Sequence, residues 1–322
     1  MSFSDKLQKN ISLKNLTTFR VGGKAQYFFE AKNQEEVIEA LQWAQQKRLL
    51  FFVLGGGSNV LINDKKYKGL VIKVQSSKFK VQSFENGFKV IEVEAGVSLG
   101  RLVGVANEEG LAGMEWAMGI PGTVGGAVCG NAGSFGQSMA DIVESVKVID
   151  TANFQFSIFN FQKNKCEFGY RDSIFKHNKN LIILSAKIKL PIGNKEEIKN
   201  KMKDFFILKK QTQPIEYYSA GSIFKNQELG IKKQELLEKF PELKKFQEKG
   251  FIPTAWFIEK AGLKTKQIGR AQVSQKHSNF IVNMGGARAC DVKKLIDFVK
   301  KKIKKEFDIV LTEEVQLKNF KK

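Results

Sequence analysis

Two segments of the sequence are unusually rich in glycine, and they constrain the fold more than any other feature. The first, GGGSNVLI at 55–62, directly follows the hydrophobic run FFVL. The second, at 119–136, reads GIPGTVGGAVCGNAGSFG and has seven glycines in eighteen positions. Glycine makes no side-chain contacts and loses more conformational entropy on folding than any other residue. Two such segments between hydrophobic elements therefore indicate places where bare backbone is needed.

Bare backbone at these segments has two explanations. Successive N–H groups can converge into a concave site for an anion such as a pyrophosphate. Alternatively, each segment is a tight turn that packing alone requires. Neither segment contains GxxxxGK[ST] or GxGxxG, so the Walker and Rossmann fingerprints are absent. The density of glycine in both segments favours a single ligand that is approached from two sides.

Size and composition are those of a globular protein. The chain has 322 residues, enough for two domains or three small ones, and 42% of them are hydrophobic. No apolar run approaches the ~20 residues of a membrane span, and the polar start MSFSDKLQKN lacks a signal-peptide core. Three widely spaced cysteines and two histidines argue against a disulfide framework or a metal site and favour a reducing compartment.

The net charge of +20 permits two interpretations, a nucleic-acid-binding face or a lysine-rich surface. Only six of the 53 basic residues are arginines, and these six do not cluster in the sequence. Because arginine is favoured where phosphates or bases are held in a bidentate manner, the lysine-rich surface is the better interpretation. Such a surface would still attract an anionic small substrate.

Periodicity predicts mixed helices and strands. Apolar residues at helical spacing predict a helix over 33–48, and the strand at 49–54 runs into the first glycine segment. Ser98 is predicted to cap the following helix. The segment 181–190 alternates, which predicts a strand with one buried face. A helix is also predicted from 291 to about 305.

The two glycine segments resemble the flavin-binding halves of the vanillyl-alcohol-oxidase (PCMH) type of FAD fold. Together with four further motifs they resemble the UDP-N-acetylenolpyruvoylglucosamine reductase (MurB) family, in that family's order along the chain. These motifs are TTFRVGG at 17–23, YRDS at 170–173, GSIFKN at 221–226 and EEV at 313–315. The segment after YRDS leads straight to 181–190, which resembles the shorter MurB subtype without a mobile tyrosine loop.

The resemblance implies an α+β fold with a two-lobed FAD-binding unit and a separate α+β substrate-binding domain. The first FAD lobe is expected at 1–75 and the second at 76–192, with a C-terminal strand at 306–322 returning near the active site. The substrate-binding domain is expected at 193–305. It contains a Lys- and Glu-rich helical segment at about 227–250 that departs from the family pattern.

The implied function is the NADPH-driven reduction of UDP-N-acetylglucosamine enolpyruvate to UDP-N-acetylmuramate, a step of peptidoglycan precursor synthesis. The resemblance implies a cytoplasmic enzyme, expected to be monomeric, whose partner is this small substrate rather than nucleic acid or membrane. FAD would be held non-covalently, since no histidine follows the glycine triplet. Two alternatives stay open: another FAD oxidoreductase of the same superfold, such as a sugar or hydroxy-acid oxidase, and a basic nucleic-acid-binding protein.

Three residues are implied as catalytic. The reaction adds hydride to a vinyl ether, so negative charge develops on the neighbouring carbon and its carboxylate. Arg171 offers a planar cation for that carboxylate, although a salt bridge with Asp172 would also explain it. Ser222 resembles the family's proton donor, although helix N-caps are a common alternative role for serine. Glu314 is preferred to Glu313 because it directly precedes Val315, although a solvated acidic pair is possible.

The remaining site residues also follow from the resemblance. Lys225 and Asn226 are expected to bind the substrate, and no metal ligands are expected. Tyr217 and Tyr218 could stack on a ring or simply pack, while His277 and Asn279 are expected to be structural or to support the site. The residues expected to contact FAD are Gly55, Gly56, Gly57, Ser58, Asn59, Gly119, Pro121, Gly122, Thr123, Gly125, Gly126, Asn131 and Ala132.

Overall fold

The computed structural model describes residues 3–83, 86–152, 156–228, 233–248 and 250–320. Parts of the predicted segments 227–250 and 306–322 therefore lie outside the described residues, namely 229–232, 249 and 321–322. The chain forms two compact units. Unit 1 takes Met1–Leu16, Gly23–Ser58 and Lys65–Gln211, and unit 2 takes Thr17–Gly22, Asn59–Asp64 and Thr212–Lys322. The expected division into two FAD lobes and a substrate domain stays a prediction.

Strands and helices alternate irregularly along the chain. The strands are β1 (Gln8–Ser12), β2 (Lys24–Ala31), β3 (Leu50–Leu54), β4 (Val60–Ile62), β5 (Tyr67–Val74), β6 (Phe79–Ser83), β7 (Phe88–Glu94), β8 (Gly133–Ser134), β9 (Gln137–Ser138), β10 (Val143–Asp150), β11 (Ser157–Gln162), β12 (Leu181–Pro191), β13 (Gln227–Glu228), β14 (Phe251–Ile252), β15 (Gln267–Ile268), β16 (Ala271–Val273), β17 (Ile281–Asn283) and β18 (Gln316–Lys318). The α-helices are α1 (Gln34–Gln46), α2 (Leu99–Glu108), α3 (Val124–Cys129), α4 (Met139–Ile142), α5 (Ile174–His177), α6 (Lys195–Thr212), α7 (Lys233–Lys239), α8 (Thr254–Lys260) and α9 (Ala289–Phe307).

The first sheet of unit 1 carries the first glycine segment. Its strand order is β1-β2-β5-β3, with β5 parallel to both β2 and β3. Helix α1 lies within the predicted range 33–48. It is capped by Asn33, whose side chain accepts a hydrogen bond from the Glu36 amide, and its apolar face is buried. Strand β3 ends at Leu54, so the glycines follow at the carboxyl end of a strand whose neighbour is parallel.

The second sheet of unit 1 is antiparallel, with strand order β11-β10-β12-β7-β6. Helix α2 packs on it and begins at the predicted cap, since Ser98 accepts from the Arg101 amide. The predicted single buried face of β12 is wrong in its first half, where Ile183, Leu184 and Ser185 are all buried. A β-bulge explains this difference. Lys147 faces Ser185 and Val148 faces Ile183, so Leu184 is an extra residue that shifts the alternation by one.

Unit 2 is built around α9. A three-stranded antiparallel sheet, β15-β16-β17, packs with α8 and α9 over one hydrophobic core. Helix α9 begins at Ala289, two residues before the predicted start. The lysine-rich segment begins and ends on a short ladder, because β13 pairs with β14. Within it, α7 ends at Lys239, before Pro241, and Leu243 is fully buried.

The chain's last strand pairs with the strand that follows the first glycine segment. Strand β18 is parallel to β4, with Gln316 opposite Val60. Just after β4, the Asp64 carboxylate accepts from the amides of Ala289 and Cys290, both at 2.9 Å. It therefore binds the first turn of α9, whose N–H groups have no partner within the helix.

The mixture of parallel and antiparallel sheets with helices confirms the predicted α+β class. In the part of the chain that the structure describes, every helix is too short or too polar to cross a lipid bilayer.

Asp64→Ala should lower the free energy of unfolding by about 1–2 kcal/mol, since two amides of α9 lose their acceptor and the helix dipole loses its anion. Asp64→Asn keeps one side-chain acceptor and should lose less. Urea denaturation followed by far-UV circular dichroism measures both. Equal stability of Asp64→Ala and the parent protein would contradict this account of the α9 terminus.

Candidate active site

The two glycine segments contact each other through their backbones, within unit 1. A Cβ added to Gly56 would lie 2.5 Å from Gly122 Cα, and a Cβ added to Gly55 would collide with Thr123 Oγ1. Gly122 itself has φ +124°, a conformation that side chains disfavour. Packing therefore explains why glycine occupies positions 55, 56 and 122. The segments form one structure, as expected for a ligand approached from two sides.

The first segment also presents N–H groups suited to an anion. The amides of Gly55, Gly56 and Ser58 donate to no backbone acceptor within the described residues. The Ser58 hydroxyl donates to the Pro121 carbonyl at 3.0 Å, which joins the two segments again. Such a turn of unbonded amides fits the pyrophosphate of a dinucleotide. The structure thus supports both explanations of the glycines, packing and anion binding.

Lys73, on β5, adds positive charge at this turn and was missed by the sequence analysis. Its ammonium group donates to the Gly55 carbonyl. Burial lowers the pKa of Lys73, and the nearby Glu30 carboxylate opposes this shift. The sequence carries no signal for this residue, because it is one lysine among many.

The second segment places its remaining residues on and around α3. Thr123 is the N-cap residue of α3, and Gly125 lies where a Cβ would be 2.7 Å from Ala95 Cβ. Gly126 donates to Thr123 Oγ1 at 3.4 Å. After the helix, Ala132 donates to Ala127 O and accepts from the Met139 amide. Gly119 precedes this group with φ +75°.

The YRDS loop is docked onto the second glycine segment by three hydrogen bonds. Buried Asn131 donates to Gly169 O at 2.8 Å, and Ser173 Oγ donates to Cys129 O at 2.6 Å. Arg171 Nη2 donates to Gly133 O at 2.6 Å. The structure therefore brings Arg171 to the predicted flavin segment.

The salt-bridge alternative for Arg171 depends on Asp172. The Asp172 carboxylate accepts from the Ser173 amide at 3.0 Å, and His177 Nε2 lies 3.0 Å from it. Arg171 itself has φ +54°, a left-handed conformation that is uncommon for non-glycine residues, and Lys176 donates to its carbonyl. The Arg171 backbone thus has an uncommon conformation, and the hydrogen bond from Lys176 to its carbonyl helps to hold it.

Lys209, on α6, is a second lysine that the sequence analysis missed. It is 5% exposed, and its ammonium donates to Trp116 O at 3.0 Å and to Met118 O at 2.7 Å. These carbonyls immediately precede Gly119. Burial lowers the pKa of Lys209 to about 8. Lys209 thus anchors the start of the second glycine segment to α6.

Ser222 lies in unit 2 on extended backbone rather than at a helix N-cap. Isolated bridges pair Tyr218 with Asn283 and Ser222 with Phe280. The three residues between Tyr218 and Ser222 therefore oppose two residues between Phe280 and Asn283, and Gly221 has φ +76°. This is the count and conformation of a β-bulge, a device that re-aims side chains next to active sites.

Glu314 is held beside Ser222 by backbone hydrogen bonds. The Glu314 amide donates to the carbonyl of Ile223, the residue after Ser222, at 2.8 Å. The side-chain amide of Asn59 donates to Glu314 O at 3.3 Å. Its neighbour Glu313 instead forms an ion pair with Lys300 on α9, at 2.8 Å. The preference for Glu314 stays a prediction, and the Glu313 side chain has a structural partner.

Asn279 supports this pair of segments. Its side chain accepts from the Phe224 amide at 3.1 Å and donates to Phe224 O at 2.8 Å, and its carbonyl accepts from the Ile223 amide. His277, by contrast, is half-buried with its ring 4.7 Å from that of Phe280, and desolvation lowers its pKa. Both residues fit the supporting role expected of them.

Lys225 and Asn226 continue this segment toward α8. Lys225 N donates to Thr312 O, and Lys225 O accepts from Thr254 Oγ1 at 2.6 Å. Asn226 Oδ1 accepts from the Thr254 amide at 3.2 Å, so it binds the first residue of α8. Their contact with substrate stays a prediction.

Comparisons with known proteins define the class of protein and then its family. Residues 25–153 match the FAD binding domain family, which makes this chain a flavoprotein. Residues 213–318 match the C-terminal domain of UDP-N-acetylenolpyruvoylglucosamine reductase. The reductase of that name from Caldanaerobacter subterraneus subsp. tengcongensis is 38% identical, over 97% of this chain and 93% of the relative. The Prochlorococcus marinus NATL2A reductase is 36% identical, over 97% and 98%.

A solved structure agrees with these relatives. The crystal structure of Thermus caldophilus MurB matches with a TM-score of 0.72 and 31% identity, covering 96% of this chain and 97% of that one. The chain therefore belongs to the UDP-N-acetylenolpyruvoylglucosamine reductase (MurB) family. The three residues between α5 and β12 agree with the expected shorter subtype. The two alternative functions receive no support from these relatives.

Gly56→Ala should destabilise unit 1 by about 1–3 kcal/mol and reduce the FAD retained on purification, because the methyl group forces the glycine segments apart. The control is Gly100→Ala on α2, where an added Cβ meets nothing within 4 Å. That control should retain FAD fully and gain about 0.5–1 kcal/mol. Thermal unfolding and the flavin-to-protein absorbance ratio measure both. Full FAD content and unchanged stability in Gly56→Ala would contradict the close contact.

Because of Lys209, the free energy of unfolding should rise as the pH is raised from about 8 to about 10.5. Its folded pKa of about 8 lies below the unfolded value of 10.5, so the unfolded chain binds more protons in this window. Relative to Lys209→Met, the parent protein should gain about 1–2 kcal/mol across it. Chemical denaturation at several pH values gives this difference. The control is Lys201→Met, at an exposed lysine on the same helix, and its free energy of unfolding should vary with pH as that of the parent protein does. If the difference in free energy of unfolding between the parent and Lys209→Met does not change with pH, the account of Lys209 as a buried lysine is wrong.

Proposed function

We propose that this chain reduces UDP-N-acetylglucosamine enolpyruvate to UDP-N-acetylmuramate, using FAD bound by unit 1 and NADPH as the electron source. We place the reaction in the cytoplasm, in peptidoglycan precursor synthesis that serves cell shape and division, with the enzyme acting as a monomer. The observation that carries this proposal is the backbone framework in which Ile223 joins Ser222 to Glu314. It keeps the backbone segments that carry a hydroxyl and a carboxylate next to each other in a chain of this family.

The residues of the two glycine segments fit FAD. The free amides of Gly55, Gly56 and Ser58 would hold its pyrophosphate, and Lys73 would offset its negative charge. The backbone of 119–126 would lie against the cofactor, because its glycines leave no side chain in the way. When bound, FAD supplies hydride chemistry, accepting electrons from NADPH and passing them to the substrate.

Arg171 is proposed to stabilise the charge that develops in the substrate. Hydride addition to the terminal vinyl carbon moves negative charge onto the adjacent carbon and its carboxylate. A guanidinium stays charged at any working pH and matches a carboxylate with two parallel N–H groups. Its hydrogen bond to Gly133 O uses Nη2 and orients the fork. Donors prepared in this way are often the largest catalytic contribution.

Ser222 is proposed to donate the proton that completes the reduction, to the carbon next to the carboxylate. A serine hydroxyl is a weak acid, so the alkoxide that remains must be stabilised or reprotonated promptly. Glu314 is the nearest acidic residue by backbone connection, through Ile223. It is proposed to assist that proton transfer. Lys225 and Asn226 are proposed to contact the nucleotide sugar.

An anaerobic titration tests the function directly. The purified protein should absorb near 450 nm, lose this band on addition of NADPH, and regain it on addition of UDP-N-acetylglucosamine enolpyruvate. Ser222→Ala should still be reduced by NADPH, while reoxidation by substrate should slow by at least about 100-fold, as expected for loss of a group that acts in the transition state.

Ser219→Ala, three residues away on the same segment, is the matched control and should keep both half-reactions. Reoxidation of Ser222→Ala at the parent rate would refute the proton-donor assignment. Failure of the parent protein to be reoxidised by this substrate would refute the proposed reaction.

A further inference from the structure

A cation and an exposed aromatic ring are stacked in unit 2. The guanidinium carbon of Arg20 lies 5.4 Å from the centre of the Tyr218 ring. Tyr218 is 54% exposed and its neighbour Tyr217 is 43% exposed, which is high for two adjacent aromatic side chains. An exposed aromatic ring beside a cation is the chemistry that holds anions carrying a flat ring or a sugar.

The backbone around Arg20 is built to hold this arginine in place. Its φ is +55°, a left-handed value, and its amide donates to Thr17 O at 3.1 Å. The Thr17 hydroxyl donates to Val21 O at 3.1 Å across the same turn. Phe19 and Val21 on either side are buried, with 0% and 2% of their surface exposed. Arg20 is thus the partly exposed residue of a turn whose flanking side chains are anchored in the core.

One residue fixes the arginine turn and the tyrosine together. The side-chain amide of Asn283 donates to Phe19 O at 3.0 Å, and its backbone amide donates to Tyr218 O at 2.9 Å. Asn283 is 4% exposed, and its side-chain oxygen also accepts from the Gly285 and Ala287 amides. Since the buried Asn283 makes all of these bonds, the pair is positioned by the fold rather than by chance surface contact.

The pair lies on the segment that carries Ser222. Tyr218 and Ser222 are paired with Asn283 and Phe280 along one strip of backbone. Four residues of extended chain span about 13 Å. The pair therefore lies on the same segment as Ser222, about 13 Å from it. In a nucleotide sugar, the nucleotide is likewise separated from the part of the molecule that reacts.

We propose that Arg20 and Tyr218 bind the nucleoside diphosphate part of the substrate. Arg20 binds the diphosphate, and the Tyr218 ring holds the guanidinium and contacts the adjoining nucleoside. Glu216, two residues before Tyr218, lies 3.9 Å from the Lys276 ammonium, so its charge is offset. The net charge of +20 favours the approach of such a dianion. This inference rests on the proposed function for the identity of the substrate.

The test uses the intact FAD-loaded enzyme, reduced with dithionite so that NADPH is not needed, and mixed with UDP-N-acetylglucosamine enolpyruvate. Arg20→Gln should raise the half-saturating substrate concentration by about 10- to 100-fold, the usual effect of losing a charge-assisted hydrogen bond. The maximal reoxidation rate should stay within about twofold, because Arg20 does not act on the reacting atoms. Tyr218→Leu should raise the same concentration, and Tyr218→Phe should not.

Arg48→Gln is the matched control, because Arg48 is also left-handed, with φ +50°, but is exposed at the end of α1 in unit 1. It should behave like the parent enzyme. Calorimetry with UDP, inorganic pyrophosphate and uridine separates the two contacts: Arg20→Gln should weaken binding of the first two and leave uridine unchanged. A half-saturating concentration within twofold of the parent value, or a loss of maximal rate alone, would overturn the proposal.

The outcomes also separate this inference from the reaction itself. If the parent enzyme is not reoxidised by the substrate, the proposed reaction fails, and the UDP titrations still decide the Arg20 site. If the parent enzyme is reoxidised but Arg20→Gln binds UDP as tightly as the parent does, only the site proposal fails.

Discussion

The backbone contact between Gly56 and Gly122 is the constraint on which unit 1 depends. A Cβ at position 56 would lie 2.5 Å from Gly122 Cα, so only glycine permits this distance. The contact holds the turn after β3 against the segment that leads into α3. Residues beyond α3 then receive the YRDS loop and with it Arg171. The position of Arg171, the proposed catalytic cation, therefore depends on the absence of side chains at Gly56 and Gly122.

Unit 2 positions its proposed site differently, by hydrogen bonds from the side chains of asparagines. Asn279 holds Phe224 from both its amide and its carbonyl, and Asn59 binds the carbonyl of Glu314. A buried amide side chain satisfies donors and acceptors without introducing a net charge. The segments that carry Ser222 and Glu314 are therefore held in part by neutral amide side chains.

Charge has two distinct roles in this protein. Most lysines are exposed and contribute to the field of a chain with net charge +20, which favours anionic ligands at long range. Lys209 and Lys73 are different, because their ammonium groups bind backbone carbonyls next to the glycine segments. Burial lowers the pKa of both lysines, because charging a buried ammonium group costs free energy. Their hydrogen bonds to backbone carbonyls help to order the loops.

Local patterns in the sequence were sufficient for much of the fold. Helical spacing located α1, the Ser98 cap located the start of α2, and the glycine segments marked the loops of the flavin-binding unit. The family motifs named Arg171, Ser222 and Glu314, although their roles stay proposals. The alternation of β12 failed because a one-residue bulge at Leu184 exchanges its faces, and nothing in the local sequence signals a bulge.

By itself, then, the sequence determined which segments are helix, strand or glycine loop, since these depend on neighbours a few residues apart. Tertiary structure alone decided that Gly56 meets Gly122, that one lysine among many, Lys209, is buried on two carbonyls, and that Arg20 covers Tyr218. These contacts join residues tens to hundreds of positions apart. Their partners are chosen by the packing of whole elements, which no local pattern of residues encodes.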